Sequence, residues 1–320
     1  MEPISSKRGL KMFNKMTKTL SVFVIWMLVS IKLTSAGEPL NVVVSLLPQA
    51  YFVEHIGKDK VNVSVMIPPG GNPHTYEPTP SQLTKLSQAD IYVKVGSGVE
   101  FEREWMDKLV SLNKNMLICD SSKGIKLISM RAHDHDDDSR DHADGETGEP
   151  HAEEGRHPQR GQDPHVWLSP DNAIVMVANI RDALIERDSN NERFYSDNAT
   201  RLISELSDFK EEMTRQLAGL QNKKFMVFHP SWGYFAADFN LTQIAVEHGG
   251  KDPTPKQLIA LIEEAQKNGV KVILVSPQFS QKSARAVADE IAGRVESIDP
   301  LAKDYMDNLR RLADILTGKK

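Results

Sequence analysis

Cysteine is nearly missing from this 320-residue chain, and its one thiol, Cys119, has no partner for an internal disulfide. In Met116-Leu117-Ile118-Cys119 it reads as a small buried apolar residue on a strand. Positive charge is not in excess either. Lys and Arg number 39 against 44 Asp and Glu, a net charge of −5, which argues against a nucleic-acid partner. The N-terminal apolar stretch Leu20–Leu33 has only fourteen residues and includes Lys32, whereas a membrane span needs about 20. No G-x-x-x-x-G-K-[ST] loop occurs to hold a nucleotide, and no H-E-x-x-H pair marks a zinc hydrolase.

What the N-terminus does contain is an export signal. Lys7, Arg8, Lys11, Lys15 and Lys18 precede the apolar run Leu20–Val29, and Thr34-Ser35-Ala36 supplies small residues before Gly37. Met12 and Met16 leave the start codon open. Residues 1–36 are expected to be a signal peptide cut near Ala36, which places the mature chain in the periplasm with no membrane span of its own. No Cys stands at the cut to carry a lipid. The remaining 284 residues are enough for two domains.

Short β-branched runs recur at Leu40–Leu47, Val61–Ile67, Ile91–Val95 and Met116–Cys119, then at Phe225–Phe228, Gln243–Val246, Lys271–Val275 and Val295–Ile298. Most are followed by an amphipathic stretch, the pattern of parallel strands joined by crossover helices. The echo Thr79-Pro80-Ser81-Gln82-Leu83 and Thr254-Pro255-Lys256-Gln257-Leu258 starts a helix in each half, with Thr as N-cap and Gln reaching back. It fits either a duplication or a common helix opening. Between the halves, Ser169-Pro170 opens a helix with Ala173, Val177, Ile180 and Leu184 on one face. A second helix runs from about Glu192 to Leu220 with Leu202, Leu206, Phe209, Met213 and Leu217 on one stripe, a brace of roughly 43 Å. The expected fold is α/β: two lobes, each with a four-stranded, mainly parallel sheet flanked by helices, joined by one long rigid backbone helix. The expected division is 37–188 for the first lobe, 189–220 for the linking helix and 221–320 for the second lobe.

Histidine carries the chemistry. Five His and ten acidic residues crowd into His133–His157, a stretch with no apolar periodicity and too much charge to bury a core, expected to be a mobile loop. Three more histidines sit beside prolines: Pro73-His74, Pro164-His165 and His229-Pro230. Ligands of open parallel sheets gather beyond the carboxyl ends of strands. His74, His165, His229 and Asp299 each follow such an end, two per half, so the four can face one another across a cleft. Three imidazoles and a carboxylate make a shell suited to Zn²⁺. Asp299, ahead of Pro300, also reads as a turn or helix cap. Gln278 can line the cleft or supply a hydrogen bond. His55 and His248 are not expected to be ligands, and Trp167 and Trp232 read as packing residues that help dry the site.

Pro68-Pro69-Gly70-Gly71-Asn72-Pro73-His74, Tyr76-Glu77-Pro78, Asp163-Pro164-His165-Val166-Trp167-Leu168-Ser169-Pro170, Phe228-His229 with Gly233-Tyr234-Phe235, and Ile298-Asp299-Pro300-Leu301 follow in order along the chain. Together they resemble the extracytoplasmic solute-binding proteins of metal-ion ABC transporters, cluster A-I, and most closely the periplasmic zinc-uptake branch. The resemblance implies two α/β lobes on a backbone helix and a metal between them, held by residues matching His74, His165 and His229, with Asp299 or water as the fourth ligand. It implies a carrier and not an enzyme: a monomer that captures Zn²⁺ and delivers it to a membrane permease driven by a cytoplasmic ATPase. Zinc members often carry a His-rich acidic loop, so His133–His157 is expected to add weak further zinc sites. Manganese and iron relatives carry a carboxylate where this chain has His229, and imidazole in place of oxygen favours zinc. A manganese or iron carrier, a zinc hydrolase and a surface adhesin on the same scaffold are the rival readings.

Overall fold

The computed structural model describes residues 38–130, 161–247 and 251–319. The export signal with its cut near Ala36, the His133–His157 segment and His248 lie outside the described residues.

The first sheet contains β1 (Leu40–Val44), β2 (Val61–Val65), β3 (Ile91–Lys94) and β4 (Leu117–Asp120), parallel throughout and ordered β2-β1-β3-β4. The second, from β5 (Lys224–Val227), β6 (Thr242–Ala245), β7 (Val272–Val275) and β8 (Arg294–Ser297), repeats that plan as β6-β5-β7-β8, again all parallel. Helices α1 (Leu47–Gly57), α2 (Pro80–Ser87) and α3 (Glu100–Leu112) connect the first set of strands. In the second set, α6 (Gly233–Asp238), α7 (Pro255–Lys267) and α8 (Lys282–Glu290) do the same. Two parallel sheets with the same strand order match the two-lobed expectation. The strand boundaries shift by one to three residues from those expected, most at the first run. The first run does not stay extended to Leu47, because Leu47-Pro48 already forms the first turn of α1, where a missing backbone N–H costs nothing.

Between the sheets lie α4 (Pro170–Arg187) and α5 (Glu192–Ala218), followed at the end of the chain by α9 (Tyr305–Thr317). The 27 residues of α5 make a rod of about 40 Å. Its stripe Leu202, Leu206, Phe209, Met213 and Leu217 is buried as the 3.6-residue period requires. Helices α1, α4 and α9 pack on it. The last helix thereby returns to the first lobe, where Tyr305 packs its ring edge on Phe52 at 5.1 Å between centroids. Strand β5 and the residue after it show how the second sheet is shared between two cores: Met226 and Phe228 enter the smaller core, whereas Phe225 and Val227 enter the large one that contains the α5 stripe. A core continuous with both lobes resists free swinging of one against the other.

Both capping boxes form. Thr79 Oγ1 accepts from Gln82 N at 3.4 Å and Gln82 Oε1 accepts from Thr79 N at 2.9 Å, and Thr254 with Gln257 repeats both distances. Gln82 does more than its counterpart. Its Nε2 also donates to Val65 O and Met66 O, and its Oε1 accepts from the Tyr76 hydroxyl, so it ties the end of β2 to the loop that carries His74. At the ends of β1 and β3, Glu102 is buried and accepts from Ser45 Oγ at 2.5 Å, Val95 N at 2.5 Å and Gly96 N at 2.9 Å. Gly96 makes the turn after β3 at φ +87, a conformation that disfavours a side chain.

Candidate metal centre

Each of the three histidines leaves the carboxyl end of a sheet. His74 is in the loop after β2, His229 stands two residues after β5, and His165 closes the connection from β4 to α4. The neighbouring prolines restrict the backbone at all three. The structure brings the rings together: His74 and His229 have centroids 4.9 Å apart, and His165 and His229 5.3 Å apart. Metal–nitrogen bonds of about 2.0–2.1 Å at a tetrahedral angle would set ring centres roughly 5 Å apart. Among the described residues, no three His, Cys, Asp or Glu groups already converge their donor atoms on one point. Ring spacing is the better guide to capacity, because turning about χ2 swings a ring nitrogen further than the ring centre.

All three imidazoles are engaged at the same atom. His165 Nδ1 meets Asp163 Oδ1 at 2.8 Å, His229 Nδ1 meets Glu247 Oε1 at 2.7 Å, and His74 Nδ1 lies 3.1 Å from Glu100 Oε2. A carboxylate at Nδ1 holds the proton there and leaves the Nε2 lone pair free, the arrangement in which outer carboxylates orient and strengthen imidazole ligands. His229 Nε2 is buried without a hydrogen-bond partner, and so is Gln278 Oε1. Two unsatisfied lone pairs beside one cavity suit a cation and no hydrogen-bond acceptor. That cavity, lined by the three histidines, Glu100, Trp167, Gln278 and Phe279 among others, leaves about 20 Å³. A single water or bare ion needs about that much room, and an organic solute needs far more.

Electrostatics separates the histidines. Burial is the largest influence on His229 and takes its pKa below the ordinary value, although the hydrogen bond to Glu247 opposes it. Burial also pulls His74 down, but the hydrogen bond and charge of Glu100, with the charge of Glu247, outweigh it and leave the pKa raised. Burial pushes Glu100 up, yet His74 beside it brings the carboxyl down to about 2.

The remaining expected residues divide. Asp299 stands two residues after β8, and its Oδ1 accepts from Gln278 Nε2 and Leu301 N, both at 2.9 Å. It is not among the residues lining the cavity. Gln278 lines the cavity and donates to Asp299, so both of its expected roles are present. His55 lies on α1, its Nδ1 donating to Tyr51 O at 2.7 Å, away from the cavity. Trp167 walls the cavity and donates from Nε1 to Pro300 O at 2.8 Å, while Trp232 is core. Reasoning from sequence missed Glu100, Glu247 and Phe279. Phe279 stacks on His229 with centroids 4.8 Å apart. Asp163 was within reach of inspection, two residues before His165. Glu247 follows His229 by 18 residues, and nothing local announces it.

The chain is similar to known zinc-binding proteins over most of its length. The zinc-binding protein AdcA of Streptococcus pyogenes serotype M3 is 29% identical over 290 residues, covering 89% of this chain but only 55% of AdcA. The chain thus spans about half the length of the AdcA proteins it matches. The high-affinity zinc uptake system protein ZnuA of Bacillus subtilis is 29% identical over 293 residues, covering 88% of this chain and 86% of that protein. A crystal structure of ZnuA superposes with a TM-score of 0.77 at 38% identity, covering 88% of this chain and 99% of that one. A ZnuA deletion mutant with zinc bound superposes at 0.76 with the same identity, covering 88% and 97%. Residues 42–318 match the sequence model of the family described as zinc-uptake complex component A, periplasmic, and the chain belongs to that family.

Proposed function

We infer that this protein captures Zn²⁺ outside the cytoplasm and delivers it to an ABC-type membrane permease powered by a cytoplasmic ATPase. The observation that carries this reading is the set of three imidazoles, each held at Nδ1 by a carboxylate, with the buried His229 Nε2 left unpartnered. His74, His165 and His229 supply nitrogen ligands, and Asp299 or a water completes the shell. Three nitrogens favour zinc over manganese or iron. The zinc-binding names of AdcA and ZnuA support the choice of cargo. Among the described residues no helix is long and apolar enough to cross a membrane. Passage across the membrane is assigned to the permease, and residues 1–36 to the export signal. We read the protein as a carrier and not as an enzyme.

Capture follows from the surroundings. Trp167 and Phe279 keep bulk water from the imidazoles, and Asp163, Glu247 and Glu100 offset the charge of the ion at one remove. Elemental analysis and zinc titration of the protein purified without added metal test the reading. One tight equivalent is expected in the parent and near none in His229→Ala. A parent that binds manganese tightly and zinc weakly would overturn it.

A further inference from the structure

His165 and His229 come from different lobes, yet their loops touch directly. Asp163 is 1% exposed, and its Oδ1 accepts from both the backbone N and Nδ1 of His165, at 2.9 and 2.8 Å. Its other end is held by the second lobe. The hydroxyl of Tyr234 donates to Asp163 O at 3.0 Å and accepts from Ile128 N at 3.1 Å, while Asp163 N donates to Ile128 O at 2.9 Å.

Gly233 precedes Tyr234 and opens α6, four residues beyond His229 on the same loop. Its φ is not in the left-handed region, so its backbone would accept a side chain. Space does not allow one. A Cβ built on Gly233 would overlap Asp163 Oδ2 and come within 3.2 Å of Gln243 Nε2. Gln243 itself is engaged, accepting from Trp232 N at 3.0 Å. The missing methyl group is therefore the room into which the Asp163 carboxylate fits.

Resting on the zinc-binding reading above, we propose that Gly233 and Asp163 are positioning residues, a spacer across the lobe boundary that sets the separation of His165 from His229. The loop that carries one ligand carries, four residues on, the surface against which the orienting carboxylate of the other is seated. Two imidazoles are thereby spaced before the ion arrives, at the 5.3 Å between centroids, and less reorganisation remains for binding. His74 reaches the same point from a separate loop and completes the set. Neither Gly233 nor Asp163 touches the ion.

The test is a double-mutant cycle on the full mature chain, read as zinc affinity by chelator competition and as the imidazole ¹⁵N shifts of His165. Gly233→Ala should weaken zinc binding by about tenfold or more, in the range found when outer partners of metal ligands are disturbed. It should do so while metal-free unfolding stays cooperative, since Ala is the better helix former. Asp163→Ala should weaken binding by about 10–100-fold and release the His165 proton from Nδ1. On that background Gly233→Ala should cost no more than about twofold, because the carboxylate it displaces is gone. Parent-like affinity in Gly233→Ala, or losses that multiply in the double variant, would overturn the spacer. If Gly233→Ala fails to fold, the double variant decides: recovery of the fold supports the steric contact, and continued failure refutes it. A parent without tight zinc would instead sink the functional reading itself.

Discussion

At the residue scale, burial and the neighbouring carboxylates together set the order in which His74 and His229 respond to acid. Zinc competes with protons for imidazole nitrogen, and an unperturbed imidazole titrates near about 6.5. His74 is raised above that value and His229 lowered below it, so on acidification His74 takes a proton first. Zinc affinity should begin to fall above the ordinary imidazole range, governed by His74. Glu100→Gln removes the partner that raises His74, and the onset of zinc loss should move to lower pH in titrations between pH 8 and pH 5. An unmoved or higher onset would show that Glu100 does not control it. The metal-free fold responds in the opposite sense. A raised histidine adds stability that is fully present below its unfolded pKa and lost as pH rises through the folded one, so the His74–Glu100 pair supports the apo protein on the acid side while zinc binding weakens there. The histidines were legible in sequence because prolines and strand ends frame them. Glu100 and Glu247 were not: 26 and 18 residues separate them from His74 and His229, and only folding gives such pairs a common position.

Elements of the same design carry different duties according to what lies beside them. The two Thr-Pro-x-Gln caps are equal in local geometry, and sequence predicted both, since a capping box depends on residues three apart. Their tertiary roles differ. Gln257→Ala should remove only the cap, costing about 1 kcal/mol in denaturant unfolding with zinc affinity unchanged. Gln82→Ala also frees Val65 O, Met66 O and the Tyr76 hydroxyl, so it should cost about 1–3 kcal/mol and weaken zinc binding through the His74 loop. Equal effects of the two variants on zinc would refute the link from α2 to the site. Helix α5 was likewise readable from its stripe alone, but not which partners would cover it. That the last helix, α9, shares the load with α1 and α4 emerged only from packing.

Across the whole molecule, residues from both lobes meet at one cavity, so occupancy should stabilise them together. Zinc at 100 times its Kd should add about 2.7 kcal/mol to unfolding, a chelator should remove it, and both lobes should shift in a single transition. A shift confined to one of two resolved transitions would mean that the ion engages one lobe only. Sequence by itself determined the α/β class, the repeated strand plan and the long helix, and singled out the three histidines whose rings the fold gathers, because periodicity, caps and Pro-flanked frames are written in residues close along the chain. Tertiary structure alone decided that Nδ1 of His74, His165 and His229 each meets a carboxylate, that Asp299 turns its Oδ1 toward Gln278 and Leu301, and that Gly233 leaves room for Asp163. Those are contacts between segments distant in sequence. Their distances are set when a shared core brings the segments together, and no local pattern records them.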